Sequence, residues 1–434
     1  MNKILIRNGL ILTMAADEPK FSADDILIEG NLITQIGEVP PTDATVINAS
    51  GMVVMPGLVN CHNHAYMSLL RGYCDDLRLL EWLREKMWPA EEKMNGEDVY
   101  WGTLLGVTEM LKSGTTTFAD MSFFMDEVAQ AVADSGIRAS LCQGLLFHDN
   151  DAVRRIDSSY KLFSNWRGKA NGRISTMVGP HAPQTCPPDK IKIAMDMARE
   201  LDSGIHIHLA ETTEEVEYIN SSYDKTPTEY LADLGLFEDF HVLLAHAVHL
   251  SQNDIRLLRN LKGGISHNPV SNQKLGCGVA PIIELIKSGI NVALGTDGAA
   301  STVTLDMFEE IKAAAWLQKN HHFDPTAVNS YQVLQMATVN GAKALGLAEE
   351  IGTIEVGKKA DLILIDVEKP HLYPHNDICA LLAYSANGAD VDTLIIDGEI
   401  VMQNRHLKTI DEKLVLRQAK RCSGRITRET VQNS

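Results

Sequence analysis

The sequence predicts an α/β protein: a (β/α)8 barrel of TIM-like design with a small β-sandwich domain assembled from both chain ends. Two observations carry this expectation. Between about Pro56 and Leu347, short apolar runs alternate with longer amphipathic ones, the pattern of βα units on a parallel sheet. On either side of that middle, the chain reads as short strands punctuated by Gly, Asn, Pro and Asp. A length of 434 residues accommodates a barrel of about 250 residues plus an appended domain.

In chain order, N-terminal strands are expected over residues 3–11, 25–29, 32–36 and 46–48. Eight barrel strands follow at residues 53–62, 115–121, 138–146, 174–181, 204–209, 241–246, 263–267 and 291–295. Helical periodicity marks residues 98–112, 188–201, 251–260, 280–287 and 305–318. Strands resume over residues 360–366 and 391–397, and Asp397-Gly398 turns the chain into Glu399-Ile400-Val401. The expected division is a discontinuous β domain of residues 1–55 and 355–434 around a catalytic barrel of residues 56–354.

Composition narrows the partners. Lys and Arg total 39 against 57 Asp and Glu, a net charge of −18 that repels nucleic acid and anionic membranes. The seven cysteines lack any CxxC spacing, as expected of reduced thiols in a cytoplasmic protein. Neither a signal peptide nor a run of about 18 apolar residues is found. A soluble enzyme that self-associates and acts on a small molecule is expected.

In such a barrel the active site lies at the C-terminal strand ends. His62 and His64 close the first strand, and residues two apart on an extended chain point the same way. The fifth strand ends His206-Ile207-His208-Leu209-Ala210-Glu211, the sixth at His246, the eighth at Gly295-Thr296-Asp297. Three imidazoles and a carboxylate suit one divalent ion with a position left for water. Zinc is the leading expectation, and iron or manganese is compatible with the same donors. His206 is expected to face the core, and His249 and His267 to be packed or hydrogen-bonded. His148, His321, His322, His371, His375 and His406 are expected at the surface.

Through Pro56-Gly57-Leu58-Val59-Asn60-Cys61-His62-Asn63-His64, His208-Leu209-Ala210-Glu211, His246 and Gly295-Thr296-Asp297, the chain resembles the amidohydrolase superfamily over nearly its whole length. Met67-Ser68-Leu69-Leu70-Arg71-Gly72, Trp88-Pro89-Ala90-Glu91 and Gly179-Pro180-His181-Ala182-Pro183 are similar to its methylthioadenosine and S-adenosylhomocysteine deaminases, and to triazine hydrolases of the same framework. The resemblance implies one metal held by His62, His64, His208 and Asp297, with Glu211, His246 and Asp297 handling protons. It implies that Glu91 holds ribose hydroxyls, His181 reaches the purine, Trp82 lines the nucleoside pocket and Ser301 approaches the base.

Two departures bear on substrate. Where the deaminases carry an arginine for the homocysteine carboxylate, this chain has Gln143, and a second arginine corresponds to Arg154 or Arg155. The asparagine-rich stretch after the metal-binding Asp reads Ala300-Ser301-Thr302-Val303-Thr304-Leu305 here. The expected reaction is hydrolytic deamination of an adenosine-type nucleoside. Its rivals are deamination of a free base such as guanine, hydrolysis of a triazine, and an inactive barrel that serves as a scaffold.

Overall fold

The computed structural model describes residues 2–147 and 151–431, so His148 lies outside the described residues. Parallel strands occupy the middle of the chain. They are β1 (Leu58–Asn63), β2 (Thr115–Ser122), β3 (Arg138–Leu145), β4 in two pieces (Ile174–Thr176 and Gly179–Pro180), β5 (Ile205–Leu209), β6 (His241–His246), β7 (Lys262–His267) and β8 (Val292–Leu294). Sequential neighbours pair in parallel from β1 to β4 in one sheet and from β5 to β8 in another.

Hydrogen bonds join the two sheets on both sides. Val178 N–H donates to Gly204 C=O at 3.0 Å and His206 N–H to Val178 C=O at 2.9 Å, linking β4 to β5. Asp297 N–H donates to His62 C=O at 2.9 Å, linking the end of β8 to β1. Asn60 reinforces that second seam, donating to Thr296 Oγ1 at 2.7 Å and accepting Thr296 N–H at 3.0 Å.

The strand expected over residues 53–62 is two strands. Met52–Pro56 pairs with Leu362–Asp366 and Leu10–Leu12 in an outer sheet, whereas β1 pairs with β2. Pro56 and Gly57 transfer the chain between sheets because Gly57 presses on β2, where a Cβ would lie 2.1 Å from Thr116 Oγ1. Residues 3–11 likewise form Lys3–Arg7 and Leu10–Leu12, broken at Asn8 with φ 64°.

Helix starts differ from expectation where a cap overrides periodicity. Gly96–Lys112 begins two residues early because Asn95 and Asp98 form a reciprocal capping box. Met307–His322 begins late because Asp306 caps it through Phe308 N–H, and it runs to a left-handed Phe323.

Both chain ends build the outer sheets. One has the order Leu32–Gly37, Asp25–Glu29, Lys3–Arg7, Thr45–Asn48; the other runs from His406–Leu407 through Val391–Ile396, Leu362–Asp366 and Met52–Pro56 to Phe21–Ser22. Ile4, Ile6 and Ile28 of the first pack with Val54, Leu362 and Ile395 of the second in one buried cluster.

The C-terminal part is not all strand. Ile378–Tyr384 and Glu412–Val431 are helices. The latter buries Val415, Ala419, Cys422 and Ile426, spaced at helical intervals. It is pinned to Gly96–Lys112 by Lys112 Nζ to Glu412 at 2.8 Å and by Arg425 to Asp98. Among the described residues, no helix is long and apolar enough to cross a membrane.

Candidate metal centre and substrate pocket

The strand ends bring the expected histidines together. His64 Nδ1–H donates to Met121 C=O at 2.5 Å and His208 Nδ1–H to His181 C=O at 2.6 Å, so their Nε2 atoms face each other at 3.4 Å. Converging nitrogen lone pairs suit a shared cation. Asp297 Oδ1 lies 3.6 Å from His62 Nε2 and 3.5 Å from His64 Nε2. Its Oδ2 accepts the hydroxyls of Ser271 at 2.7 Å and Ser301 at 2.9 Å.

His62 Nε2 is buried and has no hydrogen-bond partner. An orphaned buried polar atom costs about 1–3 kcal/mol, which coordination would recover. His62, His64 and Asp297 form one cluster of ligand atoms, and His62, His208 and His246 another. The residues present therefore fit a divalent ion.

The backbone at these strand ends is held in the left-handed region. Ala210 has φ 48°, His246 73°, Ala247 51° and Asp297 65°, each at a cost of roughly 1–3 kcal/mol. The surroundings impose it: Ala210 C=O accepts Val248 N–H at 3.1 Å and His249 N–H at 2.9 Å. Such strain at a strand end re-aims a side chain that regular extension would send elsewhere.

Glu211 Oε1 lies 3.7 Å from His246 Nδ1. Burial raises the Glu211 carboxyl above its ordinary range, with His246 pulling the other way and Asp297 adding to the rise. Burial opposes a charge on His246, yet Glu211 and Asp297 leave its pKa raised overall. Its Nδ1–H donates to Asn272 Oδ1 at 2.9 Å. Glu215 accepts the backbone N–H groups of Ala210 and Glu211, both at 2.9 Å. Burial pushes that carboxyl up to about 7 against the pull of these donors.

Beside the cluster opens a pocket lined among others by Trp82, Glu91, His181 and Ser301. Trp82 is 4% exposed and its indole N–H donates to Cys74 C=O at 3.2 Å. Glu91 accepts the Tyr66 hydroxyl at 2.6 Å, and burial raises its pKa although that hydrogen bond opposes the shift. His181 Nδ1 meets Thr185 Oγ1 at 3.0 Å. Ser301 sits at the pocket wall with its hydroxyl turned to Asp297.

Gln143, Arg154 and Arg155 line a second cavity that shares Trp88, Glu91, Phe123 and Leu146 with the first. Gln143 donates to Gly144 C=O at 3.2 Å. Arg155 donates to Leu146 C=O at 2.9 Å and sits 6.0 Å from the Phe123 ring centroid. Arg154 pairs with Asp151 at 2.7 Å on the exposed side.

Sequence reasoning missed Tyr66, Glu215, Ser271 and Asn272. The strand-end rule applied to β7 would have found the last two, which follow His267 closely. Tyr66 and Glu215 carry no such signal. His249 donates to Cys277 C=O at 2.7 Å, while His267 is buried with neither ring nitrogen hydrogen-bonded. His321, His371, His375 and His406 are exposed, and His322 is half-buried.

The loop after Asp297 has a cost of its own. Val303 ends the short helix Ala299–Thr302 at φ 80° and ψ −44°, where a β-branched side chain is strained. Val303→Gly should stabilise the protein by about 1 kcal/mol, read as a higher urea midpoint with unchanged slope.

Comparison with known proteins bears on these features. The amidohydrolase family profile matches residues 53–401. The chain is 47% identical to a 5-methylthioadenosine/S-adenosylhomocysteine deaminase of Thermoanaerobacter pseudethanolicus over 98% of its own length and 100% of the relative's. It is 48% identical to a 5'-deoxyadenosine deaminase of Methanosarcina acetivorans, covering 97% of each chain. Among solved structures, a zinc-bound adenosine deaminase of Xanthomonas campestris superposes with a TM-score of 0.94 at 32% identity, covering 98% of each chain.

Proposed function

We propose, since the chain belongs to the amidohydrolase family, that it hydrolytically deaminates an adenosine-type nucleoside to the inosine analogue and ammonia. The carrying observation is the clustering of His62 with His64, His208, His246 and Asp297 at a pocket that Glu211 and Glu91 also line. Relatives named as deaminases of adenosine-type nucleosides support the same substrate class. The two parallel sheets, hydrogen-bonded along both seams, are read as one closed (β/α)8 barrel of residues 56–354. Residues 1–55 and 355–434 are read as a β-sandwich domain with added helices.

His62, His64, His208 and Asp297 would hold one divalent ion, zinc by preference. When bound, such an ion lowers the pKa of water to about 7 in favourable sites, so that hydroxide is available at neutral pH. Asp297 takes a proton from the water and returns it to the amino group, which leaves as ammonia when its C–N bond breaks. Glu211, its carboxyl raised by burial, passes a proton to the ring nitrogen that gains electron density on attack. His246, fixed by Asn272, orients the water and steadies the developing charge. Glu91, held by Tyr66, accepts ribose hydroxyls; His181 and Ser301 face the base and Trp82 covers the nucleoside. The cavity around Gln143 and Arg155 takes the 5' substituent.

With Gln143 in place of an arginine, a 5' carboxylate loses a charge-assisted bond. Zinc- or manganese-loaded protein should therefore release ammonia from methylthioadenosine with kcat/KM about tenfold or more above that for S-adenosylhomocysteine, and a chelated control should be inactive. Activity confined to guanine or a chloro-triazine would overturn the substrate assignment.

A further inference from the structure

Three imidazoles must each present an unprotonated Nε2 to the proposed metal site, where His62 and His64 face Asp297 and His208 faces His64. His64 and His208 do so by donating Nδ1–H to backbone carbonyls, at 2.5 and 2.6 Å. His62 instead directs Nδ1 at His206 Nε2, 2.9 Å away. His206 Nδ1 lies 3.5 Å from Cys142 Sγ, and Cys142 Sγ lies 3.4 Å from Asp120 C=O.

The carbonyl at the far end dictates the direction of every bond. Asp120 C=O can only accept, so Cys142 S–H donates to it. The sulfur lone pairs then accept His206 Nδ1–H, and His206 Nε2 is left to accept His62 Nδ1–H. His62 Nε2, buried and without a hydrogen-bond partner, is thereby left unprotonated. His62, Cys142, His206 and Asp120 are each at most 1% exposed, so solvent does not replace a missing link.

We infer that His206 is a positioning residue that sets the tautomer and ring orientation of His62 through this relay, and with them the metal affinity of the site. The inference rests on the metal site proposed above. The partner of His62 is an uncharged ring rather than the carboxylate or carbonyl that usually orients a metal-binding imidazole. The relay orients His62 without placing another negative charge beside the ion.

The test is zinc affinity of the full chain, by competition with a chromophoric chelator, alongside thermal unfolding of the metal-free protein. His206→Phe should weaken zinc binding by about 10- to 100-fold with metal-free unfolding little changed. His206→Gln, whose side-chain carbonyl still accepts, should recover most of that loss. Cys142→Ala should weaken binding at least about threefold, with Cys142→Ser close to the unsubstituted chain, since a weaker orienting partner has a smaller effect. Unchanged affinity in a folded His206→Phe protein overturns the inference, as does a failure of His206→Gln to recover. Should His206→Phe not fold, unchanged affinity in Cys142→Ala overturns it instead. If the unsubstituted chain takes up no zinc, the metal site itself is overturned.

Discussion

Glutamine in place of Glu211 should lower kcat by about 10²- to 10⁴-fold, the usual weight of a positioned proton donor or acceptor, with bound metal unchanged. Glu211 is three residues beyond His208, and its carboxylate faces His246 at 3.7 Å. The neighbouring Glu215 holds the backbone of Ala210 and Glu211 at 2.9 Å, so an isosteric amide at 211 stays in place and loses only the ability to exchange a proton. KM should move little, since the amide still fills the same volume beside the base. Stoichiometric metal by atomic absorption with kcat reduced less than about threefold would remove Glu211 from proton transfer. Loss of metal along with activity would make it a ligand instead.

Leucine in place of Arg138 should destabilise the fold by about 3–5 kcal/mol, because removing one partner of a buried ion pair strands the other. Arg138 begins β3 and is 3% exposed. Its guanidinium reaches Asp361 at 2.8 and 3.0 Å and Asp397 at 3.5 Å, so it ties a central strand to the outer sheet. Asp361 also accepts Asp397 N–H at 2.7 Å. Burial alone would lower the Arg138 pKa; the Asp361 carboxylate beside it raises it instead. The expected result is a large fall in the urea midpoint with near-normal kcat below the transition, since residues at strand starts lie away from the chemistry. Adding Asp361→Asn should restore part of the stability. A shift below about 1 kcal/mol would mean that solvent reaches the two carboxylates.

The residues proposed to hold metal and move protons were legible because such chemistry demands particular residue types at strand ends, and apolar strands make those ends easy to see. The long middle was legible for a related reason: burial on both faces leaves continuous apolar runs. The Pro56–Gly57 crossing was not, since two strands in different sheets read as one apolar run. The helix Glu412–Val431 carried its signal in Val415, Ala419, Cys422 and Ile426, but the strands preceding it suggested a uniformly β domain. Arg138 and Asp361, 223 residues apart, have no local mark that pairs them, and neither do Tyr66 and Glu91.

What the amino-acid order determined alone was the inventory: which strands end in imidazole or carboxylate. Tertiary structure decided what each imidazole faces. His206 and His208 alternate onto the same side of one strand, and so do His62 and His64, so periodicity cannot assign them different roles. Position along the strand separates them. His208 reaches the strand end and faces the pocket, whereas His206 lies one layer deeper, where its two ring nitrogens meet His62 and Cys142.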